Sequence, residues 1–261
     1  MDWPQFAYTY DGSFAGFLTC VFTAYANREE PACFLTHQEG QAALWPERTV
    51  DTDDQKARRV YRSLTPRLGR PGKTLVTYGF LTCLDQRELC LWDFLKLGYA
   101  KGPAVTQDLT DPRVAALNKA VLHLTREAHL LKGFTRFSDQ GGVLAGEIAP
   151  KNRVLPLLRP HFAARYPGEA LALYDRTHRE ALFCQGGKWA IVPLDQFSLN
   201  QPGQGELDYR GLWRRFYDTI AIEGRYNPKC RMTHMPKRYW GTMTEFQRED
   251  PPPADSHLRQ I

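Results

Sequence analysis

The chain has 261 residues, of which 43% are apolar and 24% are charged, and its formal net charge is +5. A chain of this length buries roughly 70–75% of its unfolded surface, so it needs neither disulfides nor a metal to stay folded. The composition excludes a collagen, a disordered tail protein and a disulfide-rich miniprotein.

The start of the chain predicts neither secretion nor membrane insertion. It has no basic segment followed by an apolar one, and no stretch approaches the roughly 18 unbroken apolar residues that span a bilayer. The six cysteines are scattered, without a Cys-x-x-Cys pair. The pattern therefore carries no metal or cofactor signature, and we expect reduced, mostly buried thiols in a cytoplasmic protein.

The first predicted elements are a short extended segment, Tyr8-Thr9-Tyr10, and a helix of about fourteen residues. The turn Asp11-Gly12-Ser13 can cap this helix. Its apolar face recurs at helical spacing: Phe14, Phe17, Leu18, Val21, Phe22 and Tyr25. A looser region is expected next, with Pro31 and Pro46 as breaks.

A second helix is predicted to begin at a capping box, Thr52-x-x-Gln55, and to end near Pro66. One of its faces is apolar. The rest of its surface carries cations: Lys56, Arg58, Arg59 and Arg62. Residues 73–100 and 111–131 are also expected to be helical.

Short strands are predicted from residue 133 onwards. They lie at 134–137, 143–148, 170–175, 180–185 and 188–193. The turn Asp139-Gln140-Gly141-Gly142 is a strong hairpin signal between the first two. A helix is expected at 150–166. The order ββαβββ favours an antiparallel sheet with a helix on one face, and the predicted fold class is α+β.

The C-terminal part is predicted to return to helix. After a Gly/Pro/Gln loop, an apolar stripe runs along one helix: Tyr209, Leu212, Trp213, Phe216 and Ile220. The predicted organisation is a mainly helical region at 1–132, the sheet unit at 133–196, a helical basic region at 197–248 that packs back on the first, and a flexible tail at 249–261.

The positive charge is concentrated in three acid-free stretches: 55–84, 148–168 and 224–244. They hold seven, four and five Lys or Arg, while the rest of the chain is net negative. Such segregation can create a phosphate-binding surface on a nearly neutral molecule. The alternative is an Arg-rich composition with chance clustering.

The first and last stretches are the stronger nucleic-acid candidates. The last alternates cations with aromatic rings, and Pro236 suits the first turn of a helix. The predicted binding residues are Arg58, Arg59, Arg62, Arg225, Lys229, Arg231, Lys237, Arg238, Tyr239 and Trp240. The alternative is a buried aromatic face at 239–246 whose cations are merely solvated.

Three residues are weak catalytic candidates: Asp11, Asp175 and His234. A turn and a helix cap explain Asp11 equally well, and a charged, exposed turn explains Asp175. The common hydrolase and nucleotide-binding motifs are absent. Catalysis is therefore an open alternative.

Three segments of the sequence carry a family resemblance. They are Tyr10-Asp11-Gly12-Ser13-Phe14-x-Gly16-Phe17-Leu18; Phe134-x-Arg136-Phe137 followed by the segment from Pro150 to Phe162; and Asn227-Pro228-x6-Met235-Pro236-Lys237-Arg238-Tyr239-Trp240. The chain resembles the bacterial "probable DNA metabolism" family linked to a radical-SAM protein. A related domain of unknown function is also found fused to uracil-DNA-glycosylase-like proteins.

The resemblance implies a companion of a radical-SAM enzyme in DNA modification or repair, and it supplies no active site. The chain lacks the Cys-x3-Cys-x2-Cys motif of such enzymes, so it would be the partner. We expect a DNA-associated accessory protein without a role at the membrane. The alternatives are a DNA or nucleotide repair enzyme with an unfamiliar site, and a protein-interaction adaptor whose arginines meet an acidic partner.

Overall fold

The computed structural model describes residues 3–36, 44–199, 203–219 and 227–246. The fold is α+β, which confirms the predicted class. Two compact units divide the chain at 126/127. The domain borders predicted at 132/133 and 196/197 stay predictions, and the predicted tail at 249–261 lies outside the described residues.

The first unit combines a small parallel sheet with helices. Its strands are β1 (Gln5–Tyr10), β2 (Glu30–Thr36) and β3 (Glu47–Thr49), in the order β2-β1-β3. Its helices are α1 (Phe14–Asn27), α2 (Asp54–Gly79), α3 (Arg87–Lys101), a 3₁₀ helix (Gly102–Gln107) and the first part of α4 (Pro112–Phe134).

β2 and β3 were not predicted, and the expectation that Pro31 breaks regular structure was wrong. Pro31 lies within β2, next to a register shift: Phe6 pairs with Pro31, but Ala7 pairs with Cys33. A proline is tolerated beside such an irregularity because the ladder is interrupted there.

The helix predicted after the first strand is confirmed as α1. The Ser13 hydroxyl caps it by accepting from the Gly16 amide at 2.9 Å, and Arg28 ends it in the left-handed conformation. Phe17, Leu18 and Val21 are buried on its inner face. The aromatic core beneath includes Tyr10, whose hydroxyl donates to Glu88 at 2.8 Å, as a buried phenol requires.

The second helix begins and ends differently from the prediction. Asp53 caps α2 by accepting from the amides of Gln55 and Lys56, whereas the Thr52 hydroxyl donates to Asp11 at 2.7 Å. The chain stays helical through Pro66 because Leu64 and Leu68 on either side are fully buried. Gly69, with a φ of 72°, interrupts the helix.

The second unit holds the remaining strands and helices. The strands are β4 (Ser138–Asp139), β5 (Val143–Ile148), β6 (Ala170–Asp175), β7 (Glu180–Gln185) and β8 (Lys188–Pro193), and they are paired in chain order. The helices are the end of α4, α5 (Leu155–Arg165), α6 (Gln204–Thr219), α7 (Pro228–His234) and a 3₁₀ helix (Lys237–Thr242).

Four of the five predicted strands are confirmed, but the sheet is mixed and not antiparallel. β5 and β6 are parallel, with Val143 opposite Ala170, because α5 carries the chain back before β6 begins. The strand predicted at 134–137 was wrong: α4 extends to Phe134, and only the short β4 pairs with β5 in an antiparallel hairpin.

The predicted helix with an apolar stripe is confirmed as α6, except that Ile220 lies outside the described residues. Arg210 anchors α6 in the second unit, since its guanidinium donates to Glu206 and to the Ser138 hydroxyl, each at 2.9 Å. Within the described ranges, no helix has both the length and the apolar character needed to cross a bilayer.

All six cysteines are free thiols. Cys83 and Cys230 are exposed, and the others are buried or half-buried: Cys20, Cys33, Cys90 and Cys184. Burial raises the pKa of the Cys20 thiol to about 12 and also raises the pKa values of Cys33, Cys90 and Cys184.

Candidate nucleic-acid interface

The basic face of α2 comprises five exposed arginines, four before the interruption at Gly69 and one after it: Arg58, Arg59, Arg62, Arg67 and Arg70. The basic face exists because the opposite face, with Leu64 and Leu68, is buried in the first unit, so the long cationic side chains point to solvent. The first three members were predicted as binding residues. The last two were not, because the helix was expected to end near Pro66.

Most of the positive charge on this face is not neutralised by acidic side chains in the described part of the chain. Arg58 lies 4.0 Å from Asp54, and Asp53 is occupied by the helix cap and by Lys56 at 3.4 Å. In the part of the chain that the structure describes, the other four arginines have no carboxylate partner. Such cations can meet phosphates without first breaking an ion pair.

Arg238, in the C-terminal basic stretch, forms an ion pair within the second unit. Its Nη2 lies 3.0 Å from Oε1 of Glu127, whose side chain is only 1% exposed. The same guanidinium donates to the Tyr239 hydroxyl and lies over its ring. Arg238 therefore compensates a buried acid and is not a free phosphate ligand.

The two aromatic candidates pack into the second unit. Tyr239 is 2% exposed, and its ring lies 5.5 Å from that of Phe134. Trp240 is half-buried, stacks on Phe246 at 4.6 Å, and donates to the Met235 carbonyl. Tyr239 therefore fits the alternative to nucleic-acid binding, a buried aromatic face at 239–246. Neither ring is included in the candidate interface.

The remaining C-terminal candidates are exposed or outside the described residues. Lys229 and Lys237 are exposed, so a phosphate could reach them. Arg225 lies outside the described ranges, and only the backbone of Arg231 is described. Pro236 precedes a 3₁₀ helix of six residues, and not the α-helix start that the sequence indicated.

Asp11 is held by local structure at the start of α1. Its carboxylate accepts from the Ser13 amide at 2.9 Å and from Thr52. Burial acts to raise its pKa, but these hydrogen bonds prevail and lower it. Gly16 permits this arrangement, since an added Cβ would lie 2.2 Å from Asp11 Oδ1.

Asp175 is fully buried at the end of β6, contrary to the exposed turn that we considered. It accepts from the amides of Thr177 and His178 at 3.0 and 3.2 Å and lies 2.6 Å from the His178 ring nitrogen. The pair closes the β6–β7 turn. His234, at the end of α7, is exposed.

Among the described residues, no hydrogen bond or ion pair joins Asp11, Asp175 or His234 to another of the three. The same part of the chain contains no group of three or more His, Cys, Asp or Glu side chains placed to hold a metal ion. The catalytic assignments stay predictions.

A protein-family match covers more than half of the chain. A family described as a domain of unknown function, DUF4130, matches residues 85–245. The chain belongs to the DUF4130 family. No curated protein matches it.

The DUF4130 match begins after α2, so the basic face of α2 lies outside it. Within the match, buried acids join segments that are distant in sequence. Glu127 accepts from the Lys151 amide and from the amide and side chain of Asn152 at 3.1, 2.8 and 2.6 Å. Arg136 makes a two-point contact with Glu245 at 3.1 and 2.6 Å. The motif residues that suggested DNA metabolism thus include several that hold the second unit together.

Proposed function

We propose that this DUF4130 protein is a cytoplasmic, DNA-associated accessory protein that binds DNA phosphates through the basic face of α2. One observation supports the proposal: α2 carries four exposed arginines before its interruption at Gly69 and a fifth just after it, and four of the five have no acidic partner in the described ranges. The arginine fork matches a phosphate with two parallel hydrogen bonds, which the single ammonium of lysine does not.

The dimensions of the face suit a nucleic-acid backbone. Residues 58–67 of α2 rise about 14 Å along the helix axis. Each strand of a duplex carries one phosphate per about 3.4 Å of the duplex axis, so this part of α2 is long enough to contact several phosphates. Binding would be driven largely by release of counterions, and it should therefore weaken with salt.

Exchange of Arg58, Arg59 and Arg62 for Gln tests the proposal. Each phosphate contact contributes about 0.9 to the slope of log affinity against log salt. We expect the triple variant to lower that slope by roughly 2–3 and to bind a short duplex at least about tenfold more weakly at low salt. Fluorescence anisotropy over a salt titration measures both quantities.

The matched control removes three charges elsewhere. Lys119, Arg126 and Lys132 are exposed on α4, and their triple Gln variant has the same net charge as the α2 variant. The control should keep the wild-type slope. If both variants lose the same amount of slope and affinity, net charge alone explains DNA binding. An unchanged slope in the α2 variant would refute the proposed face.

The partner in this proposal is a radical-SAM enzyme of DNA modification or repair. This choice of partner rests on the sequence resemblance. The apolar stripe of α6 supports docking to a protein, since Tyr209, Leu212 and Phe216 are 74, 60 and 54% exposed. Exposed Arg215 lies on the same helix. This surface fits an apolar groove with an acidic rim on the partner.

The same stripe favours the adaptor as the second candidate function. The double variant Leu212→Ser/Phe216→Ser should lose co-purification with a co-expressed radical-SAM partner after nuclease treatment. Its control is Leu109→Ser/Leu122→Ser, which alters two leucines that are 60 and 47% exposed on the first unit. Retention of the partner by the α6 variant would exclude this surface.

A further inference from the structure

A cleft of about 590 Å³ lies in the first unit, beside the basic face of α2. α1 forms one wall with Phe22 and Tyr25, α2 forms the other with Arg59, Ser63 and Arg67, and Tyr99 of α3 closes the floor. The cleft lies wholly in the first unit, and its volume is within the range of small-molecule sites.

Aromatic side chains line the cleft. Tyr25 is 36% exposed as a residue, and its ring lies 5.7 Å from that of Tyr99. The fully buried Trp92 and the half-buried Trp3 also contact this ring, with centroids 5.2 and 5.9 Å from that of Tyr25. An exposed ring that its neighbours hold in place can stack a flat ligand with little loss of side-chain entropy.

The wall that α2 contributes is cationic. Arg59 and Arg67 stand two turns apart, about 12 Å along the helix axis, with Ser63 between them. Arg59 lies over the ring of Phe22 at 5.5 Å, and neither arginine has a carboxylate partner in the described part of the chain. No Asp or Glu is among the described residues that line the cleft. The ligand that fits is therefore flat at one end and anionic at the other.

We infer that this cleft binds one unpaired nucleotide of single-stranded DNA, with the base against Tyr25 and the phosphates at Arg59 and Arg67. The inference rests on the proposed function and adds the strand state to it. A base within a duplex cannot reach such a cleft, because both of its faces are stacked.

The hydroxyl groups of Ser63 and Tyr99 pair with one another at the cleft. The Ser63 hydroxyl donates to the Val60 carbonyl at 2.7 Å and lies 2.8 Å from the Tyr99 hydroxyl.

The first experiment measures the contribution of the bases. A deoxyuridylate strand of about twelve nucleotides is compared by anisotropy with the same strand lacking its bases. We expect the base-free strand to bind roughly 5- to 150-fold more weakly. Tyr25→Leu should remove most of this difference, whereas Tyr25→Phe, which keeps the ring, should retain it. Equal affinity of the wild-type protein for both strands would overturn the inference.

The second experiment uses a mononucleotide and does not depend on the rest of α2. Deoxyuridine monophosphate should change the tryptophan fluorescence through Trp92, and base-free deoxyribose phosphate should not. Arg59→Gln and Arg67→Gln should each weaken the mononucleotide about 3- to 10-fold. Lys119→Gln, at an exposed position of α4 outside the cleft, should leave the affinity unchanged. Equal effects of all three would overturn the inference.

The outcomes separate this inference from the proposed function. Salt-dependent binding that ignores the bases would leave the α2 face standing and refute the cleft. Mononucleotide binding without oligonucleotide binding would support the cleft and refute the α2 face. If neither ligand binds, the cleft and the α2 face are both refuted. Tighter binding of oligouridylate than of deoxyuridylate would overturn the assignment to DNA.

Discussion

Replacement of Glu127 with Ala is expected to lower the free energy of unfolding by about 3–5 kcal/mol. The carboxylate is almost completely buried and accepts from two backbone amides and the Asn152 side chain. Its removal leaves these donors unsatisfied and deprives Arg238 of its partner. Arg238 is itself 36% exposed, so water replaces part of its interaction, and most of the loss comes from the buried donors.

Urea unfolding followed by circular dichroism measures this effect. Glu169→Ala is the matched control, because Glu169 is exposed and its side chain makes no ion pair among the described residues; its effect should stay within about 0.5 kcal/mol. A Glu127→Ala protein as stable as this control would show that the contacts of Glu127 contribute nothing net. Arg238→Ala removes the ion-pair partner of Glu127. If that variant binds DNA less well, its lower stability would explain the loss without a contact between Arg238 and a phosphate.

Replacement of Asp175 with Ala is expected to lower the free energy of unfolding by about 2–4 kcal/mol. The side chain is fully buried, and its oxygens hold two amides of the β6–β7 turn and the His178 ring. An alanine there would leave these donors without partners beneath the sheet. Asp195→Ala, at an exposed position, is the control for loss of one carboxylate.

The Asp175 variant also tests the enzyme alternative. If the variant unfolds more easily in urea, as expected, the role of Asp175 in the turn is sufficient to explain its position. Unchanged stability, together with loss of an activity on DNA or nucleotides, would contradict the structural role and support a catalytic one.

Local sequence patterns predicted the elements whose stability is local. β6, β7 and β8 have the predicted bounds because their strands are short, apolar and separated by turns such as Gly186-Gly187, both of which have positive φ. α1 was predicted because its stripe faces a single core. In each case the signal and the contact that produces it lie within a few residues.

Features that depend on distant pairing were not predictable in this way. β2 and β3 acquire their strand conformation by pairing with β1, and the parallel pairing of β5 with β6 follows from the path of α5. Arg238 looked like a phosphate ligand because Glu127, its partner, is far away in the sequence. The aromatic cleft went unnoticed for the same reason, since Tyr25, Arg59 and Tyr99 come from three helices.

The distribution of thiols offers a natural pair of labelling positions. The thiolate is the reactive form of cysteine, and burial keeps Cys20, Cys33, Cys90 and Cys184 protonated near neutral pH. The two exposed thiols, Cys83 and Cys230, fall one in each unit. A thiol-reactive dye pair would therefore mark both units without any engineered cysteine, and energy transfer between the dyes would follow their separation as DNA is added.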